Sequence, residues 1–242
     1  MSRPFVSVIV PTYNRREFLP YLLHQYNYQT YPKEHRELLI IDDSPQSNAD
    51  LFPKDDPHIR YIYVPEKIPL GKKRNMLNDM AKGEIIVCMD DDDYYSPERV
   101  SHAVTKLMGS KNLIAGSSIL HIYYPHFEGT GKPTIYCFGP YSSSHSTGGL
   151  MSYKKEYTKT HKFPDDANKA EESHFTNKFT EPMVQLDTFK VMLCIAHNNN
   201  TVEKTAFIPQ GKPTNIKIKN FFKKGDKKML EWIKELSNKI KR

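Results

Sequence analysis

Short apolar runs rich in β-branched residues alternate with helical patterns over the first hundred residues. Four such runs occupy residues 6–10, 37–41, 59–64 and 85–88. Two segments, residues 18–26 and 76–81, repeat apolar side chains at helical spacing, and Gly83 is predicted to cap the second helix. The predicted order is strand, helix, strand, strand, helix, strand, which is typical of an α/β sheet with helices on its faces.

The rest of the chain predicts a third helix, an irregular middle and a final buried strand. Ser96 and Pro97 mark the start of the helix. Its predicted apolar face consists of Val100, Val104, Leu107 and Met108. Residues 123–149 are rich in Pro, Gly, Ser, Tyr and His without a sustained period, so we expect loops that carry specificity. Residues 191–196 predict the last buried strand.

Length and cysteine content narrow the class of protein. A chain of 242 residues can bury a full core as one large domain or as a domain with an appendage. The three widely spaced cysteines predict reduced thiols rather than a disulfide scaffold. The apolar runs are far shorter than a bilayer span, and the first residues lack the apolar stretch of a signal peptide. We therefore expect a soluble, cytoplasmic protein.

The positive charge is concentrated at the C-terminus. Residues 212–242 contain eleven Lys or Arg against three acidic residues, and this net of +8 leaves −1 for residues 1–211. The apolar residues Met229, Ile233, Leu236 and Ile240 share one helical face, which predicts a basic amphipathic helix. Such a helix could bind nucleic acid, lie on an anionic membrane, or pack its apolar face on the body, and we favour packing.

Four consecutive aspartates, residues 90–93, follow the apolar run at residues 85–88 after Met89. If the strand extends into them, Asp90 and Asp92 point to the same side while Asp91 turns away. Two carboxylates at a strand end suit Mg²⁺ or Mn²⁺, which keeps several waters and shares itself with substrate phosphates. The alternative is a polar loop that precedes the helix starting at Ser96.

A cluster of cations opens the second predicted helix. Gly71, Lys72, Lys73 and Arg74 stand in its first turn, where the helix dipole favours anions instead. A bound phosphate would reverse this unfavourable arrangement. The alternative, solvated surface lysines, fits Lys72 and Lys73 better than Arg74. A nucleoside diphosphate would satisfy both the cations and the metal-binding carboxylates.

Five segments together resemble the family 2 glycosyltransferases of the GT-A fold. They are residues 8–15, 28–31, 40–44, 71–75 and 89–93, which occur in the family's order within the first hundred residues and include its DxD motif. The resemblance implies a single α/β domain, a Rossmann-like mixed sheet with helices on both faces, over residues 1–211. Residues 1–100 would be its nucleotide-binding half and residues 101–211 its acceptor-binding half, followed by the basic segment 212–242.

The resemblance also assigns roles around the nucleotide. It implies nucleotide contacts from Pro11, Thr12, Tyr13, Asn14, Arg15, Asp42, Asp43, Gly71, Lys73, Arg74, Asp90 and Asp91. Thr12 and Tyr13 would contact the base, although Tyr13 could equally be a core aromatic. Asp42 or Asp43 would form a hydrogen bond with uracil, and Arg74 would contact the nucleobase or the diphosphate. Asp90 would bind the ribose or the metal, and Asp92 the metal.

Transfer to an acceptor hydroxyl needs a group that takes its proton, and a carboxylate within hydrogen-bond reach is the usual choice. Glu171 and Glu172 resemble the family's acidic pair, usually Glu-Asp, at the start of a helix below the acceptor. We assign the base to Glu172, with Asp166 as the alternative because Glu is one methylene longer than the usual Asp. Acidic residues are also favoured in any first helical turn, which gives Glu171 and Glu172 a purely structural alternative.

Two further groups complete the predicted site. His197 follows the last strand and could close the metal's coordination shell or bind the diphosphate, as a similar histidine does in some GT-A enzymes, ahead of His145 and His174. Gly148 and Gly149 are expected to line the sugar, because paired glycines allow close backbone approach.

The expected activity is a metal-dependent, inverting transfer of a sugar from a nucleotide diphosphate donor, a UDP-sugar, to a hydroxyl group. The acceptor would be a glycan, a lipid-linked molecule or a protein. Inversion rests on the resemblance alone. The alternatives are a metal-dependent nucleotidyltransferase or phosphohydrolase, disfavoured by the lack of a Gly-rich phosphate loop or Walker motif, and a nucleic-acid-binding module that uses the tail.

Overall fold

The computed structural model describes residues 3–222 and, beyond them, residues 226, 228, 229, 231–233 and 235. The first six elements follow the predicted order. They are β1 (Val6–Thr12), α1 (Leu19–Asn27), β2 (Arg36–Asp42), β3 (Ile59–Tyr63), α2 (Leu70–Met80) and β4 (Ile85–Cys88). Pro20 lies in the opening turn of α1, where its missing N–H breaks no helical hydrogen bond.

The second half of the chain consists of short elements. They are β5 (Tyr94–Tyr95), α3 (Arg99–Met108), β6 (Ile114–Gly116), β7 (Leu120–Tyr123), β8 (Ile135–Phe138), β9 (Ser152–Lys154), α4 (Glu172–Phe175), β10 (Met183–Gln185), β11 (Met192–Ile195) and β12 (Lys212–Pro213). Short 3-10 helices connect many of them, including Gly148–Leu150 and Lys204–Gln210.

The described strands form two sheets. The larger has the order β10-β6-β9-β4-β1-β2-β3, in which β9 runs antiparallel to its neighbours β4 and β6. The strands β4, β1, β2 and β3 are parallel, so their carboxyl ends meet at one edge. The smaller sheet has the order β12-β8-β7-β11-β5. This mixed α/β architecture confirms the predicted fold class.

The interior strand β1 is buried on both faces, which explains why its sequence is mostly apolar. Val8 packs in one core cluster with Leu22 of α1 and Val100 of α3. Ile9, which points to the other face, packs in a second cluster with Leu77 of α2. Helices therefore cover both faces of the sheet, and the loops after β1 and β4 stay accessible at its edge.

Several predicted details of the helices and of the middle segment are wrong. α2 ends at Met80 with Ala81 as its C-cap, and Gly83 instead allows close packing, since a Cβ there would overlap the backbone nitrogen of Ser7. α3 begins at Arg99, three residues after Ser96. Met108 is 51% exposed and so lies outside the apolar face. The irregular middle contains β8, which pairs with β7. These details depend on contacts with parts of the chain that are distant in sequence.

The described C-terminal residues pack on the body. Met229, Trp232 and Ile233 are buried in a cluster with Phe18 and Leu193, which agrees with the packing that we favoured. Leu236 and Ile240 lie outside the described residues, so the basic amphipathic helix as a whole stays a prediction. None of the described helices is long and apolar enough to cross a bilayer. Cys88, Cys137 and Cys194 are free thiols.

Arg99 fixes the backbone below the β4 end, and its loss should destabilise the fold. Its buried guanidinium donates to Ser152 Oγ at 2.8 Å, to Cys88 O at 3.0 Å and to Met151 O at 2.6 Å. Arg99→Met removes the guanidinium donor from all three buried acceptors, of which Met151 O keeps the Cys88 N–H at 3.1 Å, and we expect the free energy of unfolding to fall by about 3 kcal/mol. Urea denaturation measures this value.

The control is Lys106→Met, which changes an exposed cation on the same helix. It should alter the free energy of unfolding by less than about 0.5 kcal/mol. A loss below about 1 kcal/mol in Arg99→Met would mean that the surrounding carbonyls find other donors.

Candidate active site

A pocket of about 860 Å³ opens at the carboxyl ends of β1 and β4. Most of the predicted site residues line it. These are Pro11, Thr12, Tyr13, Arg15, Lys73, Arg74, Asp90, Asp91, Asp92, Gly148, Gly149, Glu171 and Glu172. The predicted site residues outside its wall are Asn14, Asp42, Asp43, Gly71, Asp166 and His197. The fold thus gathers residues from five separate segments into one cavity.

The four aspartates form the turn between β4 and β5. Because β4 ends at Cys88, strand alternation does not reach them, and the expectation that Asp91 turns away is wrong. Asp91 accepts a hydrogen bond from the Thr12 hydroxyl. Arg15 Nη2 lies 3.4 Å from Asp92 Oδ2, and Arg15 Nε lies 3.7 Å from Asp91 Oδ1. One cation from the loop after β1 therefore contacts two of the four carboxylates.

The fourth aspartate has a structural contact. Asp93 Oδ1 accepts the backbone N–H of Ile195 at 2.8 Å and so connects the acidic turn to β11. Burial, together with the charge of Asp92, raises the pKa of Asp93 to about 8. Asp93 also lines the pocket, but the hydrogen bond from Ile195 occupies one of its oxygens, whereas Asp90, Asp91 and Asp92 each form an ion pair with an arginine.

Burial and mutual repulsion set the electrostatics of these three carboxylates. Burial raises the pKa of Asp90 and raises that of Asp91 further, and the charge of Asp92 adds to both shifts. Burial acts on Asp92 as well, but its hydrogen bond with His197 and the nearby cations outweigh burial and lower its pKa. Negative charge confined in this way favours a bound cation.

The donor chemistry of Asp90 and Asp92 fits a hard divalent ion. Carboxylate oxygens suit Mg²⁺ or Mn²⁺, and two protein ligands suffice when phosphates and waters supply the others. His197 Nε2 lies 3.1 Å from Asp92 Oδ2 and 2.9 Å from Asn200 Nδ2, so it contacts the carboxylate directly. In the described part of the chain, no three His, Cys, Asp or Glu side chains form a metal-binding group.

Two of the three cations at the start of α2, Lys73 and Arg74, are buried. Lys73 is only 4% exposed and donates to Asp43 and, at 2.9 Å, to Thr12 O, so its interpretation as a solvated lysine is wrong, whereas Lys72 is exposed. Arg74 donates through Nε to Glu171 at 2.7 Å. Its buried Nη1 has no hydrogen-bond partner among the described residues. An unpaired guanidinium N–H in a pocket wall is suited to an anion.

The two glutamates face different partners. Glu171 forms the ion pair with Arg74 and is buried. Glu172 Oε1 accepts the backbone N–H of Gly148 at 2.8 Å, and burial, with the charge of Glu171, raises its pKa. Asp166, the alternative base, is exposed and lies outside the pocket wall. In contrast to Glu171, Glu172 forms no salt bridge with a cation among the described residues.

The residues predicted to bind the nucleobase of the donor lie at two depths. Asp42 Oδ2 accepts from Tyr61 Oη at 2.7 Å, and Asp43 Oδ2 accepts from the backbone N–H of Ile68 at 2.8 Å. Both aspartates are buried behind the wall. Tyr13 is half-buried in the wall itself, with Lys67 Nζ 4.0 Å from its ring centre, so it is not a core aromatic.

Among the wall residues that sequence reasoning missed are Lys204 and Asn200, and it also missed the role of one glycine. Lys204 comes from the 3-10 helix after β11, and the charges of Cys194 and of the aspartates raise its pKa although burial opposes this. Asn200 donates to Asp92 Oδ2 at 3.3 Å. A Cβ on Gly149 would lie 2.5 Å from Asp90 Oδ2, so this glycine makes room for the carboxylate. None of these contacts has a local sequence signal.

The architecture, with parallel strands that deliver acidic and cationic side chains to one edge, is that of the GT-A fold. The sequence model described as "Glycosyl transferase family 2" matches residues 7–170. The chain belongs to this family, which confirms the resemblance drawn from its five segments.

Relatives of known description are similar to parts of the chain. The poly(ribitol-phosphate) β-N-acetylglucosaminyltransferase TarS of Staphylococcus aureus is 26% identical over 189 residues, which cover 71% of this chain and 32% of TarS. A GalNAc(5)-diNAcBac-PP-undecaprenol β-1,3-glucosyltransferase of Campylobacter jejuni is 34% identical over 115 residues, 45% of this chain and 35% of that protein. The matched part thus spans about a third of each of these relatives.

Solved structures share the fold at low sequence identity. A TarS fragment in complex with UDP-GlcNAc has a TM-score of 0.60 and 22% identity, and the match covers 81% of this chain and 60% of that one. The mannosyltransferase PcManGT of Pyrobaculum calidifontis, in complex with GDP-Man and Mn²⁺, has a TM-score of 0.65 and 20% identity, with coverage of 83% and 59%.

Proposed function

We propose that this chain is a metal-dependent, inverting glycosyltransferase that moves a sugar from a nucleotide diphosphate donor, a UDP-sugar, to a hydroxyl of a glycan or another acceptor. The observation that carries this proposal is that three groups line one pocket. They are the two carboxylates Asp90 and Asp92, the guanidinium of Arg74 with an unpaired N–H, and Glu172, which has a raised pKa and no salt bridge among the described residues. The UDP-GlcNAc complex of TarS and the Mn²⁺ complex of the mannosyltransferase support the donor class and the metal.

Asp90 and Asp92 would hold Mn²⁺ or Mg²⁺, with His197 beside Asp92 as a further ligand or a diphosphate contact. Such an ion, when bound, offsets the charge of the departing diphosphate. Arg74 is placed for the same purpose, because its Nε is fixed by Glu171, its Nη2 lies 3.4 Å from Asp90 Oδ1, and its buried Nη1 has no hydrogen-bond partner among the described residues. Glu171 thus orients Arg74, and Lys73 holds the loop after β1 through Thr12 O.

Glu172 would act as the base. As the acceptor oxygen bonds to the anomeric carbon, the bond from that carbon to the diphosphate breaks, and the acceptor proton passes to the Glu172 carboxylate. The raised pKa of Glu172 makes this carboxylate a stronger base than a solvated one. The Gly148 N–H holds one carboxylate oxygen and leaves the other for the acceptor. Asp166 remains the alternative, but it would need to move into the pocket.

We extend the proposal to the organisation of the chain. Residues 1–100 would bind the nucleotide. Thr12 and Tyr13 would contact the nucleobase, and Asp42 and Asp43 would contact it or support the residues that do. Residues 101–211 would bind the acceptor, with Gly148 and Gly149 near the sugar. Residues 212–242 form the basic tail, whose described apolar residues pack on the body, which favours packing over contact with a membrane.

Nucleotide sugars with Mn²⁺ should stabilise the protein against heat. A ligand at about 100 times its Kd adds about 2.7 kcal/mol, which for a chain of this size raises Tm by about 5–10 °C. We expect this shift with a UDP-sugar and Mn²⁺ in a thermal-shift assay, and a much smaller one with EDTA in place of Mn²⁺. Stabilisation that EDTA leaves intact would remove the metal from the proposal, and no shift with any nucleotide sugar would remove the donor.

A further inference from the structure

The tail residues, Asp226, Met229, Trp232, Ile233 and Glu235, dock against α1 through aromatic packing and polar contacts. Trp232, the single tryptophan, is buried and stacks on Tyr21 with ring centres 4.8 Å apart. Its edge meets Phe18 at 6.0 Å and 89°. Because edge-to-face packing is directional, the indole limits the orientations open to the Phe18 ring.

Polar contacts fix the tail residues at both ends. Asp226 Oδ1 lies 3.2 Å from His24 Nε2 and also accepts the backbone N–H of Met229 at 3.4 Å. Tyr21 donates to Glu235 Oε2 at 3.2 Å. The indole of Trp232 is therefore held on α1 from two sides, so its position is defined by more than apolar packing.

Phe18 lies between Trp232 and the acidic turn. It is 1% exposed, and its ring packs against the His197 ring at 4.9 Å. The Arg15 guanidinium carbon lies 5.7 Å from the centre of the same phenyl ring. His197 and Arg15 contact Asp92 at 3.1 and 3.4 Å, and the Asn200 amide also donates to it at 3.3 Å. One phenyl ring thus supports both cation-forming partners of this carboxylate.

We propose that Trp232, acting through Phe18, is a positioning residue that holds His197 and Arg15 against Asp92, so that the tail completes the donor site. The family match ends at residue 170, so this support comes from a part of the chain outside it. The inference rests on the proposed function for its effect on UDP and Mn²⁺, but its geometric part does not. Groups that orient metal-binding side chains typically change metal affinity about 10–100-fold when they are removed.

The experiment compares Trp232→Ala with Phe222→Ala in the full chain. Phe222 is the matched control, because its ring stacks on Tyr94 at 4.0 Å rather than on Phe18. The first readout is the NMR signals of the His197 ring in the ligand-free protein. The second is the Mn²⁺ concentration that gives half-maximal UDP binding, measured by calorimetry. We expect Trp232→Ala to shift the His197 signals and to raise that concentration about tenfold, with less than twofold change in Phe222→Ala.

The route through Phe18 has its own test. Phe18→Leu should reproduce the effect of Trp232→Ala, and the double variant should be no worse than either single one, because both changes remove the same support. Trp232→Phe keeps an aromatic ring, so its Mn²⁺ concentration for half-maximal UDP binding should lie close to that of the wild type. If Trp232→Ala does not fold, the two single variants Phe18→Leu and Trp232→Phe decide the inference.

Two results would overturn the inference. One is a folded Trp232→Ala protein with unchanged His197 signals, and the other is an equal loss of Mn²⁺ affinity in Phe222→Ala. The NMR readout needs no ligand, so it decides the geometric claim even if the wild type failed to bind UDP with Mn²⁺. In that case only the proposed function would fall.

Discussion

Asp92→Ala should abolish sugar transfer, with kcat lowered by at least about 1000-fold, and should leave the fold intact. Losing one group that stabilises developing charge typically costs about 100- to 1000-fold, and Asp92 would contribute both a ligand for the ion and the anchor for His197 and Arg15. The fold should survive because Arg15 keeps its contact with Asp91. A transfer assay and circular dichroism measure the two effects, and calorimetry should show weaker Mn²⁺-dependent UDP binding.

Asp79→Ala provides the control for this loss. Asp79 is an exposed carboxylate on α2 that pairs with Lys162 at 2.8 Å, away from the pocket wall. Its removal should leave kcat within about twofold, since exposed ion pairs contribute little. Near-normal turnover in Asp92→Ala would exclude this carboxylate from metal binding and would leave Asp90 without a partner for the ion.

Glu172→Gln should keep UDP binding and lose transfer by about 100- to 10,000-fold, the usual contribution of a general base. The amide has the shape of the carboxylate, and its oxygen can still accept the Gly148 N–H. In the wild type, kcat/KM should rise with pH as the raised pKa of Glu172 is passed, because only the deprotonated carboxylate takes a proton. The variant should lack this rise.

Asp166→Asn separates the two candidate bases. Since Asp166 is exposed outside the pocket wall, this variant should transfer sugar at a rate within about twofold of the wild type, as surface changes usually have small effects. A large loss in Asp166→Asn together with retained transfer in Glu172→Gln would move the base to Asp166. Titration of UDP in the presence of Mn²⁺ confirms that each variant still binds the donor product.

Much of the site was predictable because its chemistry lies in short, ordered segments. The residues at the end of β1, at the start of α2 and after β4 were all expected at one edge, and the structure brings Thr12, Arg74 and Asp90 together there. The alternative of a solvated surface lysine at position 73 was wrong, because a lysine in the first turn of a helix carries no local signal of the strand end that packs against it. Its burial depends on the buried Asp43 and on Thr12 O.

The sequence by itself determined the layered α/β fold, the family, and the residue types of the site, because strand and helix periods and the family's short segments are local. Tertiary structure decided which of those side chains are free to act. Thr12 and Asp91 are 79 positions apart, and Arg74 and Glu171 are 97 apart, yet each pair forms a hydrogen bond. Contacts at such separations depend on how strands and helices pack, so Lys204, the Trp232–Phe18 contact and the Gly148–Glu172 bond have no signal in the linear pattern.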